Sequence, residues 1–145
     1  MKKIGRFFAA AVLIVFTTFT ACKKDENEEI IDIITSKTWK LGLTDLNTRT
    51  NPSGNNTYYA VLECEQDDTF TFRADGTMVR TFGSKKCDGD TGTSKTINYS
   101  YNKETKELMI DGVKYSVVEE NRSQLKYTLT TPATSGVSNK IYLLQ

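Results

Sequence analysis

From Thr38 to the end of the chain, hydrophobic residues recur at every second position. That one pattern restricts the fold to antiparallel sheet with one face toward a core and one toward water. Trp39, Leu41 and Leu43 alternate with Lys40, Gly42 and Thr44, and Phe70 and Phe72 with Thr69, Thr71 and Arg73. Ile97, Tyr99 and Tyr101 follow the same rule, as do Val113, Tyr115 and Val117. Leu125, Tyr127 and Leu129 alternate with Lys126, Thr128 and Thr130, and Ile141 and Leu143 with Lys140, Tyr142 and Leu144. Tyr58–Cys64, Met78–Phe82 and Leu108–Ile110 complete nine expected strands. Asp75-Gly76 and Asp111-Gly112 are hairpin turns, because Asp-Gly tolerates the positive φ that tight hairpins require. Many short strands at even spacing imply a sandwich or a barrel. Consecutive hairpins favour up-and-down pairing, and closure removes exposed edges. The expected fold is all-β, a small up-and-down antiparallel barrel.

Before the strands the period is helical. Ile30, Ile31, Ile33 and Ile34 share one helical face, and Asp25 with Glu28 resembles a capping box, so a short N-terminal helix is expected over Asp25–Ser36. The Ile face suits capping one end of the core better than a dimer or membrane contact. Two segments break the strand rhythm: Asn47–Thr57, and Gly83–Lys95 with its Asp88-Gly89-Asp90-Thr91-Gly92 run. Long loops at the mouth of a barrel are either functional or simply solvated connections.

The first residues read as an address. Lys2, Lys3 and Arg6 precede an apolar run from Phe7 to Phe16, the layout of a secretory signal peptide and too short for a membrane-spanning helix. Phe19-Thr20-Ala21-Cys22 resembles a bacterial lipobox, in which the Cys is lipidated after cleavage; Phe19 stands where an aliphatic residue is usual. The alternative is an ordinary signal peptide with Cys22 incidental. Acyl chains on Cys22 would anchor the protein in a membrane. Lys24-Asp25-Glu26 resembles the surface-export signal of some Gram-negative lipoproteins; the same charges equally make a solvated tether. The expected organisation is a signal peptide (1–21), an acidic tether (22–27) and one domain (28–145). The expected location is the outer membrane, lipid-anchored and exposed at the cell surface.

Composition narrows the chemistry. The 145 residues contain no His, so neither a Ser-His-Asp triad nor a His-ligated metal can be assembled. Removing Lys2, Lys3 and Arg6 lowers the basic count from 19 to 16 against 18 acids, a formal balance of −2. A slightly acidic chain is a poor match for nucleic acid, and no nucleic-acid partner is expected. No cofactor and no metal are expected either. The Asp88–Gly92 run lacks the further ligands of an EF-hand loop. Two carboxylates can hydrolyse glycosides at a suitable separation, and Glu63 and Glu65 on one regular strand face would lie about 7 Å apart. Asp67 with Asp68 and Glu119 with Glu120 are similar pairs. Strand acids usually belong to the wet face and nothing pairs these with a nucleophile, so the chain is not expected to be an enzyme.

With Cys22 assigned to lipid, Cys64 and Cys87 remain as an even pair in an exported chain, for which a disulfide is the default. It would close residues 64 through 87, worth roughly 3–4 kcal/mol on the chain-entropy model. No C-x-x-C is present, so the bond is expected to be structural.

Taken in order, the lipobox Cys22, the acidic tether, the apolar helix, Trp39, Cys64, Phe70, Phe72, Gly76 and Cys87 resemble the lipocalin-like domain of bacterial surface lipoproteins, over about residues 28–145. The resemblance implies a small antiparallel barrel plugged at one end by the helix, with the Trp opening the first strand. The second Trp common in that family is absent; Tyr99 or Tyr101 stands at the comparable place. Two functions remain open. A small apolar or amphipathic ligand would be held inside the barrel by Trp39, Phe70, Phe72, Tyr99, Tyr101, Tyr115 and Tyr127. Alternatively these aromatics fill the barrel, and the loops Asn47–Thr57 and Gly83–Lys95 contact a partner. The protein is expected to act as a monomer.

Overall fold

The computed structural model describes residues 32–134 and 136–145. The expected signal peptide (1–21), Cys22, the expected tether (22–27) and the expected helix as far as residue 31 lie outside the described residues. The described part of that helix is a single 3-10 turn, Ile33–Thr35, and Ile34 is fully buried. Nine strands follow: β1 (Trp39–Lys40), β2 (Asn55–Tyr58), β3 (Thr69–Phe72), β4 (Thr77–Thr81), β5 (Ser94–Asn102), β6 (Glu107–Ile110), β7 (Val113–Glu120), β8 (Leu125–Ala133) and β9 (Gly136–Leu144). They form one curled sheet in the order β1-β3-β4-β5-β6-β7-β8-β9-β2. The protein is therefore all-β, as the alternation predicts.

From β3 to β9 every neighbouring pair is antiparallel and sequential, so the up-and-down expectation holds for this run. Asp111 and Gly112, both at positive φ, join Ile110 to Val113 in a two-residue turn whose twist matches the strands it connects. β1 has neighbours on both sides. Trp39 and Lys40 pair with Phe70 and Thr69, while Lys40 N–H donates to Gln145 O (2.9 Å) and Gln145 N–H to Lys40 O (2.8 Å). Leu41 forms a bridge with Leu144, and Gly42 N–H donates to Leu143 O at 2.9 Å.

β2 departs from the expectation twice. The strand is Asn55–Tyr58, so it overlaps the expected loop Asn47–Thr57 and shares only Tyr58 with the expected strand Tyr58–Cys64, whose last residues Glu63 and Cys64 belong to a 3-10 turn, Glu63–Glu65. β2 also runs parallel to β9, from Asn55↔Ser138 to Tyr58↔Ile141, so the sheet is not antiparallel throughout. The polar sequence 47–57 turns back over the outside of the sheet, and its own backbone pairs with the edge of β9. Gly54 makes this possible at φ +104°, where a Cβ would sit 2.7 Å from the Val137 side chain.

The inner face carries the core: Ile34, Trp39, Phe72, Met78, Leu108, Val117, Leu125 and Leu144 are buried together. The Trp39 indole N–H donates to the Ile34 carbonyl at 2.8 Å, which fixes the 3-10 turn under this layer. The outer face of β8 and β9 is also covered. Residues 41–62 cross it and bury Lys126, Thr128, Asn139, Ile141 and Leu143. Ile141 and Leu143 therefore face this outer layer and not the main core, while Tyr142 and Leu144 face inward. Leu43 leaves the alternation altogether and is 69% exposed.

Candidate functional site

Exposure rises along the inner face from the Trp39 end to the level of Leu129 and Lys140, beyond which Ser138 is half-buried again. On β8, Leu125 is fully buried, Tyr127 is 8% exposed, Leu129 is half-buried and Thr131 is exposed. On β9 the sequence is Leu144, Tyr142, Lys140, from buried through half-buried to exposed. On β7 it is Val117 (buried), Tyr115 (half-buried) and Val113 (40% exposed). The inner face is a cup: sealed at the end where Trp39, Phe72, Leu108 and Leu144 meet, floored by tyrosines, and open beyond them.

The floor is one contiguous aromatic cluster. Tyr127 and Tyr142 are direct cross-strand partners, with parallel rings at 5.2 Å between centroids. Tyr115 stands edge-on to both, at 5.2 and 5.6 Å. Tyr59, just after β2, stacks on Tyr142 at 5.1 Å. Such pairs add roughly 0.5–1.5 kcal/mol each beyond area burial. The Tyr59 hydroxyl donates to Glu65; burial, reinforced by that carboxylate, pushes its pKa up to about 12. Burial also raises the pKa of Tyr127, Tyr115 and Tyr142, and neighbouring phenols add to the effect for Tyr127 and Tyr115. Among the described residues, the hydroxyls of Tyr115, Tyr127 and Tyr142 make no hydrogen bond.

The cup wall beside Tyr59 is ionic. Arg80 lies within 2.6 Å of Asp68 and 3.4 Å of Glu65, and both carboxylates are buried. Asp68 also accepts from the Gly83 N–H, and Glu65 from the Leu62 N–H. The bond between Cys64 and Cys87, with Cα atoms 5.2 Å apart, fastens the Glu63–Glu65 turn to the 83–93 loop. The disulfide expected from the cysteine count is present.

The seven aromatics expected to line the interior separate into groups. Trp39 and Phe72 belong to the sealed end, and Phe70 packs against it. Tyr99 packs edge-on against Phe72 at 4.9 Å and, with Tyr101, Asp32 and Thr35, lines an open cleft of about 340 Å³ beside the 3-10 turn. The Tyr101 hydroxyl donates to Glu120 at 2.7 Å, and burial together with that contact raises its pKa. Only Tyr115 and Tyr127 reach the cup floor.

Tyr59 and Tyr142 were not among the expected interior residues. Tyr142 had a signal: Ile141-Tyr142-Leu143-Leu144 is apolar on both faces, which marks a strand covered on both sides. Tyr59 had none, because its place depends on how β2 docks.

The carboxylate pairs do not converge. Glu63 is exposed and pairs with Lys85, whereas Glu65 is buried, so the two do not share a strand face. Asp67 binds Ser84 outside while Asp68 holds Arg80. A bulge between Val117 and Glu119 puts Glu119 beside Lys126 on the outer face and Glu120 beside Leu125 on the inner one. Asp90 accepts from the Cys87 N–H, and no group of three or more potential metal ligands occurs among the described residues.

On the outer face Lys126 is fully buried. Its ammonium contacts Asp45 (2.8 Å), Asn47 O (2.6 Å), Thr50 Oγ1 (2.8 Å) and Asn51 Oδ1 (2.9 Å), with Glu119 at 3.7 Å. Burial alone would raise the Asp45 pKa, but bonds from Lys126, the Asn47 N–H, Tyr58 and Gln124 outweigh it and bring it to about 2. The 47–57 loop is thus held down by a buried cation. Compared with known protein families, curated proteins and solved structures, the chain matches none.

Proposed function

We propose that this protein is an exported lipocalin-like lipoprotein, anchored through acylated Cys22 in the outer membrane and displayed at the cell surface. In this reading β1 closes the curled sheet into a small barrel, and the cup holds a small apolar or amphipathic ligand. The single observation that carries the ligand reading is the exposure gradient along β7, β8 and β9, which leaves a tyrosine floor open to solvent. The bonds of β1 to both β3 and the end of β9 support closure. The lipobox-like Cys22 and the Lys-Asp-Glu start support the address.

Native mass spectrometry of the protein purified from envelopes tests binding. A bound small mass, or uptake of the neutral dye N-phenyl-1-naphthylamine lost in Tyr142→Ala, is expected. A protein that carries no mass and takes up no dye fits the alternative of a filled module that contacts partners through its loops. For that alternative, both loops are held in place, Asn47–Thr57 by Lys126 and Gly83–Lys95 by the Cys64–Cys87 bond and the contacts of Gly83 and Ser84 with Asp68 and Asp67. The anchor has a separate test: Cys22→Ser should move the protein from the membrane to the soluble fraction.

A further inference from the structure

The segment that covers the outer face of β8 and β9 turns an apolar surface of its own to solvent. Six large hydrophobic residues are exposed among the described residues, and four of them, Leu43, Leu46, Tyr58 and Leu62, belong to residues 41–62. Each of the four is between 43% and 69% exposed. They are neighbours in space. Leu43, Tyr58 and Val61 line a common crevice, and Leu62 follows Val61. Leu46 and Tyr58 flank Asp45: the Tyr58 hydroxyl donates to it at 2.7 Å, and the Leu46 N–H donates to Gln124, whose amide donates to the same carboxylate.

Charge is nearly absent from this surface. Asp45 and Arg49 are the only charged residues between 41 and 62, in a chain of which 26% are charged. Asp45 is buried against Lys126, so the surface presents one charge, the exposed Arg49. An exposed apolar patch marks contact with protein or with membrane. Chain length favours membrane. Cys22 and Asp32 are ten positions apart, a span of at most about 35 Å even when fully extended. Trp39, whose indole N–H bonds the Ile34 carbonyl, is four positions before Leu43, so the chain leading to Cys22 departs near the patch. Acyl chains on Cys22 therefore make lipid a contact within the same tethered unit, at high effective concentration. The single exposed charge is positive, which suits anionic headgroups. Tyr58, with an apolar ring and a bonded hydroxyl, suits the boundary between lipid and water.

We propose that residues 41–62 form a membrane-docking face, lying on the leaflet that holds the Cys22 acyl chains, with Leu43, Leu46, Tyr58 and Leu62 in the interfacial region and Arg49 at the headgroups. The inner face of the sheet, with its tyrosine floor, is then turned away from lipid. This rests on the anchored-lipoprotein reading above and adds the orientation of the domain to it.

Tryptophan fluorescence tests it on the acylated protein, purified from envelopes and reconstituted in vesicles of phosphatidylethanolamine and phosphatidylglycerol with brominated acyl chains. Trp39 is fully buried and supplies a constant background. Leu62→Trp places a reporter in the patch, and Val113→Trp places one at the exposed start of β7. The brominated lipid is expected to quench Leu62→Trp several-fold more than Val113→Trp. Adding Leu43→Asp and Leu46→Asp, both at exposed positions, to Leu62→Trp should abolish that difference while flotation and circular dichroism stay unchanged. Equal quenching of the two reporters, or quenching unaffected by the two Asp substitutions, overturns docking and leaves the anchor standing. Leu62→Trp emission shielded from water but not quenched by the lipid, with shielding that grows with protein density, also overturns it and assigns the patch to a contact between two copies. Protein that does not float with the vesicles overturns the anchored reading and the docking together.

Discussion

The two faces of β8 are buried by opposite means. Leu125 and Lys126 are consecutive, point to opposite sides and are both fully buried. Leu125 belongs to an apolar layer whose stabilisation scales with the area removed from water. Lys126 lies under the 41–62 segment, where one ammonium is matched by Asp45, two loop side chains, a carbonyl and, farther off, Glu119. The apolar face can be graded, from sealed at Leu125 to open at Thr131, because apolar contacts are lost one at a time. The ionic face cannot be graded, because a buried charge missing one partner is strongly destabilising. One strand thus carries a surface that opens toward solvent and a surface that must stay shut.

The largest test of this contrast removes each residue in turn. Lys126→Ala leaves Asp45 and Glu119 buried beside no cation and should destabilise by about 3–5 kcal/mol. Leu125→Ala should cost about 2–5 kcal/mol by cavity formation. Chemical denaturation separates the two through a second change. Adding Asp45→Leu to a Lys126→Met background should recover much of the loss, since apolar replacements of a buried pair are often tolerated. No second substitution on the outer face should rescue Leu125→Ala.

A smaller effect comes from acid. Asp45 has its carboxyl pKa lowered from 3.8 to about 2, so it contributes stability that is complete above its unfolded value and is lost as pH falls through the folded one. The shift corresponds to about 2 kcal/mol. Unfolding free energies between pH 5 and pH 2 should show this loss in the natural protein and not in Asp45→Asn. A loss of equal size in both would place the acid sensitivity elsewhere.

The smallest effect belongs to the inner face. The Tyr127 hydroxyl bonds nothing among the described residues, so Tyr127→Phe should change stability by less than about 1 kcal/mol. A loss well above that, by thermal or urea unfolding, would mean that the hydroxyl is part of the folded network and that the cup floor is not free to receive a ligand.

Much of the sheet was legible in the sequence. The alternation around Phe70, Tyr99, Tyr115 and Tyr127 gives strands β3, β5, β7 and β8, and Asp111-Gly112 gives a turn at its observed place. Cysteine arithmetic gives the Cys64–Cys87 bond. What failed has a common cause. A period of two says which residues share a face and not whether the other face is wet. Lys126 and Thr128 read as solvent-facing because their burial depends on Asp45, Asn47 and Thr50, more than seventy residues away in the chain. The parallel pairing of β2 was hidden for the same reason: Asn55-Asn56-Thr57 has no apolar residue to announce a strand, and its partner, not its own sequence, makes it one. The open tyrosine floor was half visible, through Tyr115 and Tyr127, and completed by Tyr59 and Tyr142 only once β2 and β9 were docked.

The link between β1 and the end of β9 also sets how this protein must fold. Thr44 and Gln145, bonded in that region, are 101 positions apart. Contacts of such long range form only after a large loss of chain entropy, so topologies that depend on them fold in milliseconds to seconds rather than microseconds. The hairpins from β3 to β9 are local and can zip in succession, whereas the pairing of β1 and β2 with β9 spans most of the chain and must wait for β9 to be in place.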